Sequence, residues 1–115
     1  MRIVIIGNGV AGIEAAHTIR ERHSPEHAKI TVISKETEYF FSRTALMYAY
    51  MNMMERKDLE PFERGSYEKQ KIDLLLDTVT DLDADSKTLT LEETGELRYD
   101  KLLIAAGAKP RHVPF

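Results

Sequence analysis

The first twelve residues constrain this chain more than any other stretch. "RIVIIG" at residues 2–7 is a β-branched apolar run closed by glycine, and "GNGVAG" then sets Gly7, Gly9 and Gly12 ahead of a helical pattern. Branched side chains suit a pleated strand, and a short run of them bounded by glycine marks a strand buried on both faces. Glycine weakens the elements on either side of it. Three of them at one junction are tolerable where something must come close to the backbone.

From about residue 11 to 22 the pattern is helical, with Ile13, Ala16 and Ile19 able to share a face. Glu14, His17, Arg20 and Glu21 are expected largely outward. Ser24-Pro25 ends the helix, because the residue before proline avoids the helical region. "KITVIS" at 29–34 is a second strand of the same kind. Strand, helix and strand make a βαβ unit whose crossover is expected to be right-handed.

At the strand–helix junction several backbone N–H groups lack intrahelical partners and carry the positive end of the helix dipole. A diphosphate suits that position. Gly7 permits the tight turn, Gly9 lets a phosphate reach the main chain, and Gly12 lets helix and strand pack closely. G-x-G-x-x-G alone is a weak signal. A strand before it, a helix after it and a second strand next are the context that makes it a dinucleotide-binding expectation. The acidic residue that would hold a ribose should end the second strand, where position 34 is Ser, followed by Lys35 and Glu36. A carboxylate can accept from both ribose hydroxyls, so Glu36 is the expected anchor with Ser34 assisting. The alternative is that Glu36 is only a solvated loop charge.

"TEYFFSRTALMYAYMNMMERKDL" reads as an aromatic turn followed by a helix over about 43–54, with Met47, Met51 and Met54 at helical spacing. Methionines so placed read as core filler rather than a docking groove. "EPFERGSYEKQ", broken by Pro61 and Gly65, reads as a loop with a helical turn. Beyond residue 71, "IDLLLDTVTDLD", "TLTLEE" and "ELRYD" predict the three strands of an antiparallel meander, with turns at 84–87 and 93–95. Asp83 and Asp85 flank the first turn, where aspartate bonds to backbone. "KLLIAAGAKPR" predicts one more buried apolar strand. The expected fold class is α/β: a Rossmann-like βαβ parallel sheet with an antiparallel β-meander, of the FAD/NAD(P)-binding type.

Composition narrows the partners. The chain has 115 residues, a net charge of −3 and no cysteine. There is no basic stripe for nucleic acid, no thiolate metal site and no redox dithiol. No apolar run approaches the ~20 residues that span a bilayer, and no signal-peptide pattern opens the chain. A cytoplasmic location is expected. His17, His23, His27 and His112 do not make a metal site, since Pro25 breaks the helix that would align His23 with His27. No catalytic acid or base stands out.

"RIVIIGNGVAG", "TVISKETEYFFSRTAL" and "YDKLLIAAGAKPR", in that order and spacing, resemble the N-terminal part of the FAD domain of pyridine nucleotide-dependent flavoprotein oxidoreductases. That superfamily includes ferredoxin and rubredoxin reductases, NADH oxidases and disulfide reductases. The resemblance implies FAD as cofactor and NAD(P)H as co-substrate of a full-length parent, with electrons leaving to an external acceptor (a protein, a quinone or a small molecule). It implies that Gly7, Asn8, Gly9, Ala11 and Gly12 contact the FAD pyrophosphate. Arg43 would run beside the flavin or its diphosphate, where a guanidinium fork can donate in parallel or lie on a ring. Val79 would meet the adenine edge through its backbone. Ala106 and Gly107 would end a strand close to the cofactor, with Ala105-Ala106-Gly107 standing where Ala-Thr-Gly is usual.

Two departures matter. The stretch at 42–48, "SRTALMY", has none of the cysteines of disulfide reductases and NADH oxidases, so chemistry through a mixed disulfide or a sulfenate is not expected. Met47-Tyr48 stands where ferredoxin-type reductases often carry a lysine near the flavin. The branch resembled is therefore the cysteine-free, ferredoxin reductase and NADH dehydrogenase-like one. Residues 1–115 are expected to be a partial FAD-binding domain, without the NAD(P)H domain, the return to the FAD sheet and the C-terminal domain. Alone it is expected to be inactive, with weak FAD affinity at best. The alternatives are a non-catalytic Rossmann module that binds NAD or an adenine nucleotide, and an assembly domain with a vestigial glycine turn.

Overall fold

The computed structural model describes residues 1–37, 39–40, 50–53, 55, 59–62 and 64–107. Along the chain run β1 (Arg2–Ile6), α1 (Val10–Arg22), β2 (Lys29–Ser34), α2 (Arg64–Lys69), β3 (Ile72–Leu76), β4 (Val79–Asp83), β5 (Thr88–Leu91), β6 (Gly95–Arg98) and β7 (Lys101–Ile104). β3, β2, β1 and β7 form a parallel sheet in that order, and β4, β5 and β6 form a separate antiparallel sheet.

β1 lies inside the parallel sheet, with Ile5 opposite Val32 of β2 on one side and Leu103 of β7 on the other. Side chains alternate across a strand, so β1 serves two cores. Ile3 and Ile5 pack with Ile13 and Ala16 of α1 and with Ile30 and Val32 of β2. Val4 points the other way, into a cluster with Ile33, Leu89 and Leu91. The result is a stack of helix, parallel sheet and antiparallel sheet. Burying each of these branched side chains stabilises the fold by about 1.5–3 kcal/mol before entropy is counted. β1 and β2 are buried on both faces, as their apolar runs require.

Residues 72–83 correct the expected meander. They form two strands in two sheets rather than one strand. β3 pairs parallel with β2, because Ile72 and Leu74 complete the core under α1. The chain then turns at Asp77-Thr78, and only β4, β5 and β6 make the meander. β7 departs from expectation in another way. It pairs with β1 at the end of the sheet, and Leu103 and Ile104 are 40% and 61% exposed. An apolar run cannot distinguish an interior strand from one at the end of a sheet.

Two residues placed on the outer face of α1 are half-buried and make contacts there. His17 meets the Phe62 ring edge-on at 4.6 Å. Arg20 reaches back to the carbonyls of Ala28 at 2.8 Å and Lys71 at 3.0 Å, tying the helix end to the turns before β2 and β3. Asp83 accepts from the Asp85 and Ser86 N–H groups, as a turn aspartate should. The helix expected at 43–54 falls mostly outside the described residues. Met51 and Met53, which are described, are exposed at 55% and 69% and fill no core here. Among the described residues no helix is long and apolar enough to cross a membrane.

Candidate functional site

In a parallel sheet, consecutive connections that leave a strand in opposite directions open a crevice at the carboxyl ends. Here β2 and β3 lie to one side of β1 and β7 to the other. The crevice is a cavity of about 540 Å³ at the C-terminal ends of the four parallel strands. Its walls are the turn after β1 (Gly7 to Ala11), the end of β2 (Ser34 to Thr37), the corner after β3 (Asp77 to Val79) and the end of β7 (Ala105 to Gly107).

The glycines of the first turn are explained by two kinds of contact. Gly7 has φ +111°, and a Cβ there would collide with the Ala105 carbonyl of the β7 end. A Cβ on Gly12 would collide with the Gly7 carbonyl and touch Ile5. Those two positions are bare so that α1, β1 and β7 can close together. Gly9 is different: a Cβ there meets no atom of the described residues within 4 Å, and its extended backbone suits any residue. Gly9 is also the N-cap of α1, with no side-chain cap and no acidic residue in the first turn. Helices ordinarily satisfy those leading amides with Ser, Thr, Asp or Asn. Here the positive helix end faces the cavity, with Val10 and Ala11 in its wall.

Ser34 and Glu36 both line the cavity. The Ser34 hydroxyl oxygen accepts from the Glu36 N–H at 3.3 Å and the Thr37 N–H at 3.4 Å. Ser34 therefore shapes the turn that presents Glu36. Val79, Ala106 and Gly107 stand in the same wall, as does Asn8. Gly12 lies beneath it, and Arg43 lies outside the described residues.

Asp77 was not anticipated. It is 6% exposed and bonded to capacity. One oxygen accepts the N–H groups of Thr78 at 2.7 Å and Glu93 at 3.1 Å. The other accepts the N–H of Thr94 at 2.9 Å and its hydroxyl at 2.6 Å. The Thr94 hydroxyl above all, then the three amides, hold its pKa down at about 2 against burial. An aspartate-threonine pair inside an apolar run is a turn signal, and read that way it would have divided residues 72–83.

A parallel sheet with a glycine turn opening on its switch point defines a dinucleotide-binding α/β protein. The chain belongs to the pyridine nucleotide-disulphide oxidoreductase family, whose sequence profile matches residues 1–115. It is 35% identical to an NADH oxidase of Methanocaldococcus jannaschii, over 96% of this chain and 26% of that protein. It is 34% identical to the ferredoxin–NAD(+) reductase component of a 3-phenylpropionate/cinnamic acid dioxygenase of Photorhabdus laumondii, over 96% of this chain and 28% of that one. Among solved structures it is similar to putidaredoxin reductase in its covalent complex with putidaredoxin. There the TM-score is 0.87 at 30% identity, covering 98% of this chain and 27% of that one. The chain thus spans between a quarter and a third of these relatives.

Proposed function

We propose that this chain is the FAD-binding portion of an NAD(P)H-dependent flavoprotein oxidoreductase. The observation that carries the reading is Gly9. Among the described residues nothing forbids a side chain there, yet the residue leaves bare the uncapped amides of α1 where they face the cavity. A diphosphate supplies both what those amides lack and a reason for the missing Cβ.

The strand order supports an assignment for the rest. Three inter-strand steps of ~4.8 Å separate the corner after β3 from the end of β7, about 14 Å in all. A dinucleotide extended along that line would meet Val79 at its adenine end and Ser34 and Glu36 at its first ribose. Gly7, Asn8, Gly9 and Ala11 would hold the diphosphate, over Gly12, and Ala106 and Gly107 would border the flavin half. Arg43 is assigned to the flavin or its diphosphate on the family pattern. When bound, FAD supplies two-electron acceptance from a nicotinamide and delivery to an outside acceptor; the chain's residues bind and orient it.

We further take residues 1–115 as part of an FAD-binding domain whose nicotinamide site lies on other segments of a longer protein. The partial span of its relatives supports this, as does the exposed apolar edge of β7. The acceptor is a redox protein, a quinone or a small molecule, and the location is cytoplasmic. The test is to purify the intact protein. It should be yellow and should bleach with NADH or NADPH under anaerobic conditions. A colourless protein that FAD cannot reconstitute, or one that prefers NAD to FAD in calorimetry regardless of Arg43→Ala, overturns the reading in favour of a nucleotide-sensing module.

A further inference from the structure

We infer that Asp77 is the positioning residue for the adenosine half of the cofactor, and that it holds the corner after β3 through Thr94, which does not line the cavity. The inference rests on the dinucleotide reading above and names a determinant of affinity within it.

Three observations converge on Asp77. Its backbone N–H donates to the Ser34 carbonyl at 2.9 Å, which locks the corner after β3 to the end of β2, the segment that presents Glu36. Its carboxylate orients the Thr78 peptide from one side and grips the turn between β5 and β6 from the other. The Thr78 carbonyl in turn accepts the Glu92 N–H at 2.9 Å. Thr78 and Val79 are the wall that these bonds fix: the backbone ties it to Ser34 and Glu92, and the Asp77 side chain ties it to the turn between β5 and β6.

The next step of the chain uses that anchorage. The pairing of β4 with β5 slips between Val79 and Asp81, leaving Thr80 as the extra residue. A bulge bends a strand and re-aims what precedes it. The bulge follows Val79 directly, and Asp77, two residues before Val79, clamps the chain on the other side. Val79 is pinned between the two.

Asp77 is not a ligand for the cofactor. A carboxylate this buried is stable only when hydrogen-bonded, and all of its bonding capacity is spent on Thr78, Glu93 and Thr94. Its depressed pKa agrees with a permanently charged anchor. Its effect on binding must therefore pass through the backbone it holds.

The experiment uses the intact protein, stripped of flavin, with FAD and ADP as probes. Asp77→Asn and Thr94→Val should each raise the dissociation constants for FAD and ADP about tenfold, and Thr94→Ser, which keeps the hydroxyl, should restore them. The visible absorption of the flavin in the FAD-loaded variants should match the wild type, because the isoalloxazine half is untouched. A merely structural role would lower the melting temperature and leave ADP affinity at 25 °C within twofold, and that result overturns the inference. Should the variants fail to fold, hydrogen exchange on the wild type decides the matter. The Glu93 and Thr94 amides should slow on addition of ADP although neither lines the cavity, and unchanged exchange there overturns the inference. A wild-type protein that binds neither FAD nor ADP overturns the dinucleotide reading itself.

Discussion

The turn after β1 and the corner after β3 border one cavity and are built by opposite means. In the turn, side chains are left out: Gly7 and Gly12 let backbones close on each other, and Gly9 exposes the helix amides. In the corner, a single side chain is bonded to its limit, and Asp77 joins the parallel sheet to the antiparallel one. The first device is written in consecutive residues. The second joins positions far apart in sequence, since Thr94 lies seventeen residues beyond Asp77. A local device leaves a motif, whereas a long-range one leaves only an unremarked aspartate.

The difference can be broken most forcefully at Gly7. Gly7→Ala places a Cβ against the Ala105 carbonyl at a positive φ. Strain and overpacking together should cost about 3 kcal/mol or more, read from urea unfolding. A stable Gly7→Ala protein would mean that the turn does not close as described.

Gly9→Asp separates binding from folding. An aspartate N-cap should leave stability unchanged or raise it by up to ~1 kcal/mol. The same carboxylate opposes a diphosphate, so FAD affinity should fall about a hundredfold or more by titration. Equal affinity in wild type and Gly9→Asp would remove the phosphate from this turn.

The corner is probed by pH. The folded pKa of Asp77 is about 2 against an ordinary 3.8. A depressed pKa means that the unfolded chain binds the proton first, so stability rises with pH through this window. The contribution is complete above about pH 4 and is lost as pH falls through about 2. Asp77→Asn should flatten the unfolding free energy between those values, although Asp83 and Asp100, each also lowered by backbone N–H donors, keep part of the slope. An unaltered slope would show that the carboxylate is not bonded as drawn.

Gly65→Ala is the smallest change and the control for the others. Gly65 lies in α2, and among the described residues a Cβ there meets nothing within 4 Å. Alanine should stabilise the chain by about 0.5–1 kcal/mol in thermal or urea unfolding and leave nucleotide binding unchanged. A loss of binding would break the distinction between glycines that serve the cavity and one that does not.

Much of the architecture could be read from the chain before any coordinates. β1, α1 and β2 follow from branched runs, a 3.6-residue apolar stripe and a proline stop, all interactions among near neighbours. Gly7, Asn8, Gly9 and Ala11 fall on the cavity wall because a turn places its own residues. Ser34 and Glu36 follow from the expectation that a ribose-binding carboxylate ends the second strand, and Val79, Ala106 and Gly107 from the family pattern; all five line that wall. Asp77 escaped notice because its partner Thr94 is distant along the chain, whereas the split of 72–83 carried a local signal, the Asp77-Thr78 pair, inside an apolar run.

What the sequence by itself determined is local: where β1, α1 and β2 run, and that one turn bares its amides. Only the tertiary structure decided that β3 joins β2, that β7 flanks β1 and that Thr94 comes to Asp77. The reason is physical. Periodicity and glycine steric freedom act within a few residues, whereas strand partners are selected by burial shared among segments distant along the chain.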